Sequence, residues 1–205
     1  MASVLVVATR YDPATRRTFL WASNIVNDLY NKGHACNFIQ GHAVSYMAID
    51  QAIASADFVL FYGHGEPDRL IGQKSLLSFG NGPTLVDTTN VHVFQGRPVY
   101  AVCCYALRDL GLEYARIFPN RGFIGYDNQF GISIDNHTDF EEVVNQSAIS
   151  LVDGTHPNFV FSDLRRRWDA LANDFLRGPL QNSRDAFMAA AMASSNARTV
   201  GLKLY

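Results

Sequence analysis

The chain is short of cysteine, lacks a strong excess of charge of either sign, and contains no long apolar run. Three cysteines are an odd number, so they cannot form a fully paired disulfide framework. Free thiols suit a reducing compartment, where they serve packing or chemistry. Seventeen Lys and Arg face nineteen Asp and Glu, with no basic block, which argues against nucleic acid or an anionic membrane as the main partner. No uninterrupted apolar stretch approaches the roughly 18–20 residues of a membrane span. Met1-Ala2-Ser3 ahead of Val4-Leu5-Val6-Val7 has neither the basic start nor the apolar length of a signal peptide. The expectation is a soluble cytoplasmic protein, in which the Asn136-His137-Thr138 sequon is a chance match. Neither Gly-x-Gly-x-x-Gly nor a P-loop follows the first apolar run, so a nucleotide cofactor is not expected. His34, His42, His92, His137 and His156 lack metal-ligand spacing, and adjacent cysteines rarely share one zinc, so no metal is expected either.

What is present fits a single domain over residues 1–205. At 48% hydrophobic residues the chain can bury a sizeable core and is not disordered. Short apolar runs alternate with segments of helical period. Strands are expected at Val4–Ala8, Ala35–Gln40, Phe58–Tyr62, Pro98–Cys103 and Gly122–Tyr126. Helices are expected between them. The first opens at Asp12-Pro13 as N-cap and first-turn proline and stops at Gly33; the others run near Ser45–Ala56, Leu107–Ile117 and Thr138–Val152. Another, capped by Ser162 or Asp163 and closed by Gly178-Pro179, carries Leu164, Trp168, Leu171 and Phe175. Ser183–Asn196 reads as a last helix, with an edge strand over Thr199–Leu204. Glu66 to Asn90, with Pro67, Gly72, Gly80, Gly82 and Pro83, breaks the rhythm and reads as a functional loop with room for a small hairpin. Alternating strands and helices imply a mostly parallel sheet between two helical layers, an α/β three-layer sandwich.

In such sheets ligands bind beyond the carboxyl ends of the strands. Two of those ends carry chemistry. His64 stands between Gly63 and Gly65 after an apolar strand, and Cys104 follows Val99-Tyr100-Ala101-Val102-Cys103 just before a helix, whose N-terminus would favour a thiolate. On neighbouring strands both would share one sheet edge as a nucleophile and an acid or base. Each residue alone also has a plain reading, as core cysteine or packed histidine. Cys36 reads as packing and Cys103 as a small spacer. Arg165-Arg166-Arg167 read as a solvated face, and Arg16-Arg17 as a weaker anion site.

Phe58-Val59-Leu60-Phe61-Tyr62-Gly63-His64-Gly65 and Val99-Tyr100-Ala101-Val102-Cys103-Cys104-Tyr105-Ala106 resemble the histidine and cysteine boxes of the caspase-like cysteine peptidases. That group includes caspases, legumain, gingipains, clostripain, separase and the bacterial CHAT proteases. The stretch Arg116 to Tyr126, with Phe140 opening a helix, is similar to the CHAT members, and the resemblance covers roughly Val4 to Asn173. It implies a caspase-haemoglobinase-like fold and a thiol protease acting on a protein or peptide. Cys104 would attack, His64 would protonate the leaving amine, and the N–H groups of Gly65 and Cys104 would form the oxyanion hole. It also implies cleavage after a basic residue if Asp127 lines the pocket, with Glu66 and Asp68 as alternatives or as plain loop surface. Ala106-Leu107 stand where the family has a small pair such as Ser-Gly, and the caspase signature is absent. CHAT members are usually fused to sensor or repeat domains and none is read in these residues, so the expectation is control by a separate regulatory protein, a loop rearrangement or self-cleavage. Two rivals stay open: a catalytically silent caspase-like binding module, and a Cys-dependent amidase or thioesterase on a flavodoxin-like sheet.

Overall fold

A computed structural model describes residues 1–75, 82–178 and 183–204. Gly80 and Pro179, two of the breakers read from the sequence, lie outside these residues. Six strands form the main sheet: β1 (Ser3–Ala8), β2 (Ala35–Gln40), β3 (Phe58–Tyr62), β7 (Val99–Val102), β8 (Phe123–Tyr126) and β9 (Val200–Lys203). Their spatial order is β2-β1-β3-β7-β8-β9, parallel throughout except for β9, which closes the edge antiparallel to β8.

The inner parallel strands β1, β3, β7 and β8 are apolar on both faces because both faces are covered, whereas the edge strand β2 is half-exposed. Val4, Val6, Leu60, Tyr62, Tyr100 and Ile124 enter one core, packed under α1 (Pro13–Asn31), α4 (His137–Val152), α5 (Pro157–Arg177) and α6 (Arg184–Thr199). Leu5, Val7, Val59, Phe61, Ala101 and Cys103 enter the other, under α2 (Tyr46–Ile53) and α3 (Asp109–Ile117). The result is the expected α/β architecture, with a mostly parallel sheet between two layers. Among the described residues no helix is long and apolar enough to cross a membrane.

The small hairpin that the 66–90 segment leaves room for is present and carries a third strand: β4 (His64–Glu66), β5 (Arg69–Ile71) and β6 (Thr84–Asp87) form a small antiparallel sheet whose Leu70, Leu85 and Val86 join the second core. Strands this short show no legible period, and the two-residue Pro67-Asp68 connection carries only a turn signal. α5 begins at Pro157, not beside Ser162 or Asp163. The His156 ring caps it, while Ser162 bonds back to the Asn158 carbonyl at 2.9 Å inside the helix. Asp163 instead binds Arg166 and Arg167 on the exposed face.

Candidate active site

The sheet register brings the chemistry together. Tyr62 at the end of β3 pairs with Val102 at the end of β7, so His64 and Cys104 each stand two residues beyond a matched pair. Gly63 N–H bonds the Val102 carbonyl at 3.3 Å and continues the ladder to the edge. Gly65 admits no larger residue. A Cβ there would run into the Cys104 carbonyl and lie 2.8 Å from Cys103 Sγ, so only hydrogen lets β4 rest on the two cysteines.

His64 has a partner that sequence spacing hides. Its Nε2 lies 2.5 Å from Asp12 Oδ2, with both side chains about one-third exposed. Asp12 also caps α1: its Oδ1 accepts from Thr15 N–H at 2.8 Å while Thr15 Oγ1 accepts from Asp12 N–H at 3.0 Å. Partial burial alone would raise the Asp12 carboxyl. The Thr15 N–H and the His64 ring outweigh it and hold that carboxyl below its ordinary value. Tyr11 lays its ring against His64, with centroids 5.5 Å apart. Burial, then the neighbouring Asp12 charge, push its hydroxyl up to about 12, so it stays a neutral donor.

Cys104 is half-buried, and its sulfur accepts a hydrogen bond from Phe130 N–H at 3.3 Å. Burial pushes the thiol up, against the smaller opposing pull of the Phe130 and Cys104 N–H groups. The expected help from a helix N-terminus is missing because α3 starts only at Asp109. Cys103 is fully buried and its thiol is pushed further up by desolvation, as befits a spacer. Immediately after the candidate nucleophile, Tyr105 adopts φ +59°, a conformation a bulky L-residue rarely takes. Its N–H on the Asn128 carbonyl at 3.0 Å and the Arg108 guanidinium over its ring hold it there. Stored backbone strain of this kind concentrates at functional sites.

The structure thus sets His64, Gly65 and Cys104 at one edge, with His64 bonded to Asp12 and the sulfur to Phe130. No hydrogen bond joins His64 to the Cys104 sulfur among the described residues. Asp127 lies exposed at the end of β8, its carbonyl accepting from Arg108 Nε at 2.6 Å. Glu66 and Asp68 are both drawn to the Arg69 guanidinium, at 3.4 and 2.6 Å. No cluster of three or more potential metal ligands exists among the described residues. The chain matches no protein-family model, and no curated protein is significantly similar to it.

Proposed function

We propose that the chain is a cysteine peptidase of the caspase-like kind, with Cys104 as nucleophile, His64 as proton donor and Asp12 as the group that orients His64. One observation carries this reading: the Asp12–His64 hydrogen bond stands beside Cys104 on the carboxyl edge of adjacent parallel strands. An acid–imidazole–thiol series at a ligand-binding edge is the arrangement nucleophilic acyl transfer needs.

The Cys104 thiol passes its proton to His64 as the sulfur attacks the scissile carbonyl, forming a C–S bond and turning the carbonyl oxygen into an oxyanion. The N–H groups of Gly65 and Cys104 receive that charge without a side chain. His64 gives a proton to the leaving amine as the C–N bond breaks, leaving a thioester. Water then attacks that thioester as His64 takes its proton; the C–S bond breaks, the carboxylic acid product leaves, and His64 returns the proton to the sulfur. Asp12 favours the charged imidazole and fixes its orientation throughout.

The silent binding module draws on one observation too. His64 and Cys104 each bond elsewhere, and burial raises the thiol. A fluorogenic peptide library separates the two readings. Wild type should cleave a subset of peptides, while Cys104→Ala and His64→Ala should abolish cleavage with an unchanged circular dichroism spectrum. Equal cleavage by wild type and Cys104→Ala, or none by wild type, overturns the peptidase reading.

A further inference from the structure

Beside the candidate nucleophile a cavity of about 470 Å³ opens between the segment after β8 and helix α6. Cys104, Phe130, Gly131, Met188, Ala191 and Met192 line it beside the uncharged polar Gln129 and Ser195, with no acidic or basic residue among them. The size lies within the range of small-ligand pockets.

The far wall is built to stay in place. Asn196, fully buried on α6, accepts from Gly131 N–H and donates to the Gly131 carbonyl, both at 2.9 Å. A Cβ on Gly131 would lie 3.1 Å from Met192 Cβ, so this glycine lets the segment press close to the helix. The next N–H along, that of Phe130, bonds the Cys104 sulfur. One buried amide on α6 therefore holds both the cavity wall and the N–H aimed at the thiol. Met188 and Met192 supply flexible, polarizable surface, and Met188 is 46% exposed, which is costly surface for a side chain with nothing to cover it.

We propose that this cavity receives an uncharged apolar side chain, of the Leu, Met or Phe class, from the substrate residue whose carbonyl Cys104 attacks; the proposal rests on the peptidase reading. A cationic or anionic side chain entering it would lose hydration and meet no countercharge. Asp127, the residue expected to select a basic side chain, is not part of the wall. Glu66 and Asp68 are already engaged by Arg69. Selection for a basic residue thus gives way to selection for an apolar one.

The test uses peptidyl chloromethyl ketones that differ only in the residue next to the reactive group: Leu, Met, Arg or Asp. In the labelling step the sulfur–carbon bond forms as the carbon–chlorine bond breaks, chloride leaves and the thiol proton passes to solvent. Intact mass gives the rate of Cys104 modification. The Leu and Met reagents should outrun the Arg and Asp reagents at least about tenfold, the scale on which pocket contacts discriminate. Ala191→Asp and, separately, Met188→Asp place a carboxylate in the wall and should move the ratio toward Arg; both residues are exposed, so neither change disturbs the core. An Arg reagent as fast as the Leu reagent on wild type, or a ratio unmoved in both variants, overturns the proposal. If no peptidyl reagent labels Cys104 while iodoacetamide does, the peptidase reading itself fails, and this inference with it.

Discussion

Asp12 has two tasks that one substitution can separate. As N-cap of α1 it bonds Thr15 N–H, and as partner of His64 it supplies a charge. Asparagine caps helices about as well as aspartate, so Asp12→Asn keeps the first task and removes the second. Its stability cost is confined to the lost charge at a helix N-terminus, about 0.3–1 kcal/mol. Asp12→Ala removes the cap as well, for roughly a further 1 kcal/mol. A hydrogen bond to a charged group contributes about 1.5–3 kcal/mol. If that bond acts in the transition state, its loss slows turnover by about 10- to 150-fold. With the Asp12 side chain 33% exposed, solvent screens the pair and the lower end, about tenfold, is expected.

Urea denaturation and peptide hydrolysis on the same three proteins give the answer. Asp12→Asn should lose about tenfold in kcat with almost no change in urea midpoint, whereas Asp12→Ala should lose both. Full turnover in Asp12→Asn refutes the orienting role and leaves Asp12 a helix cap. Losses of activity that simply track stability across both variants refute it too.

Gly65→Ala tests the close contact between the two sheets. Its Cβ would lie 2.8 Å from Cys103 Sγ and against the Cys104 carbonyl, neither of which can swing away. Overpacking of this kind costs about 1–3 kcal/mol, and an unchanged urea midpoint would show that β4 does not rest on the cysteines. Alkylation of Cys104 by iodoacetamide tests the thiol. Because burial disfavours the thiolate, the rate should still be climbing at pH 9, whereas an exposed cysteine, with a pKa near 8.5, is levelling off. A plateau below pH 8 would contradict a buried neutral thiol.

Much of the frame is legible because buried strands write their burial into continuous apolar runs. Phe58–Tyr62 can be read to the residue in this way, the half-exposed edge strand Ala35–Gln40 matches its expected bounds without such a run, and Asp12-Pro13 and Ser183 announce their helices by cap chemistry. The same cap rule misleads at Ser162 and Asp163, where Ser bonds back inside the helix and Asp serves two arginines. Asp163 does carry a signal: an acid three and four residues before arginines fits a helix interior as well as a start. Asp12's second role is not legible. It lies 52 residues from His64, and only the Ala8–Tyr62 register brings the two strand ends level. Asn196 is hidden differently, as a polar residue in a helix whose burial depends on what packs against it.

The register also sets the order in which the groups of the proposed mechanism stand. Asp12 follows β1, His64 follows β3, Cys104 follows β7 and Phe130 follows β8, and those four strands are successive neighbours in the sheet. Acid, imidazole, thiol and sulfur-facing N–H therefore follow one another in chain order across the carboxyl edge, each beyond the end of its own strand. Asp12 bonds His64 and the Phe130 N–H bonds the Cys104 sulfur, while Asp12 stands two strands from Cys104. The acid can influence the thiol only through His64. In the proposed mechanism Asp12 is then a positioning residue, which predicts that Asp12→Asn in a His64→Ala background costs nothing further in the labelling of Cys104 by a peptidyl chloromethyl ketone. An additional loss in that double variant would mean that Asp12 acts on the thiol or the substrate by another path.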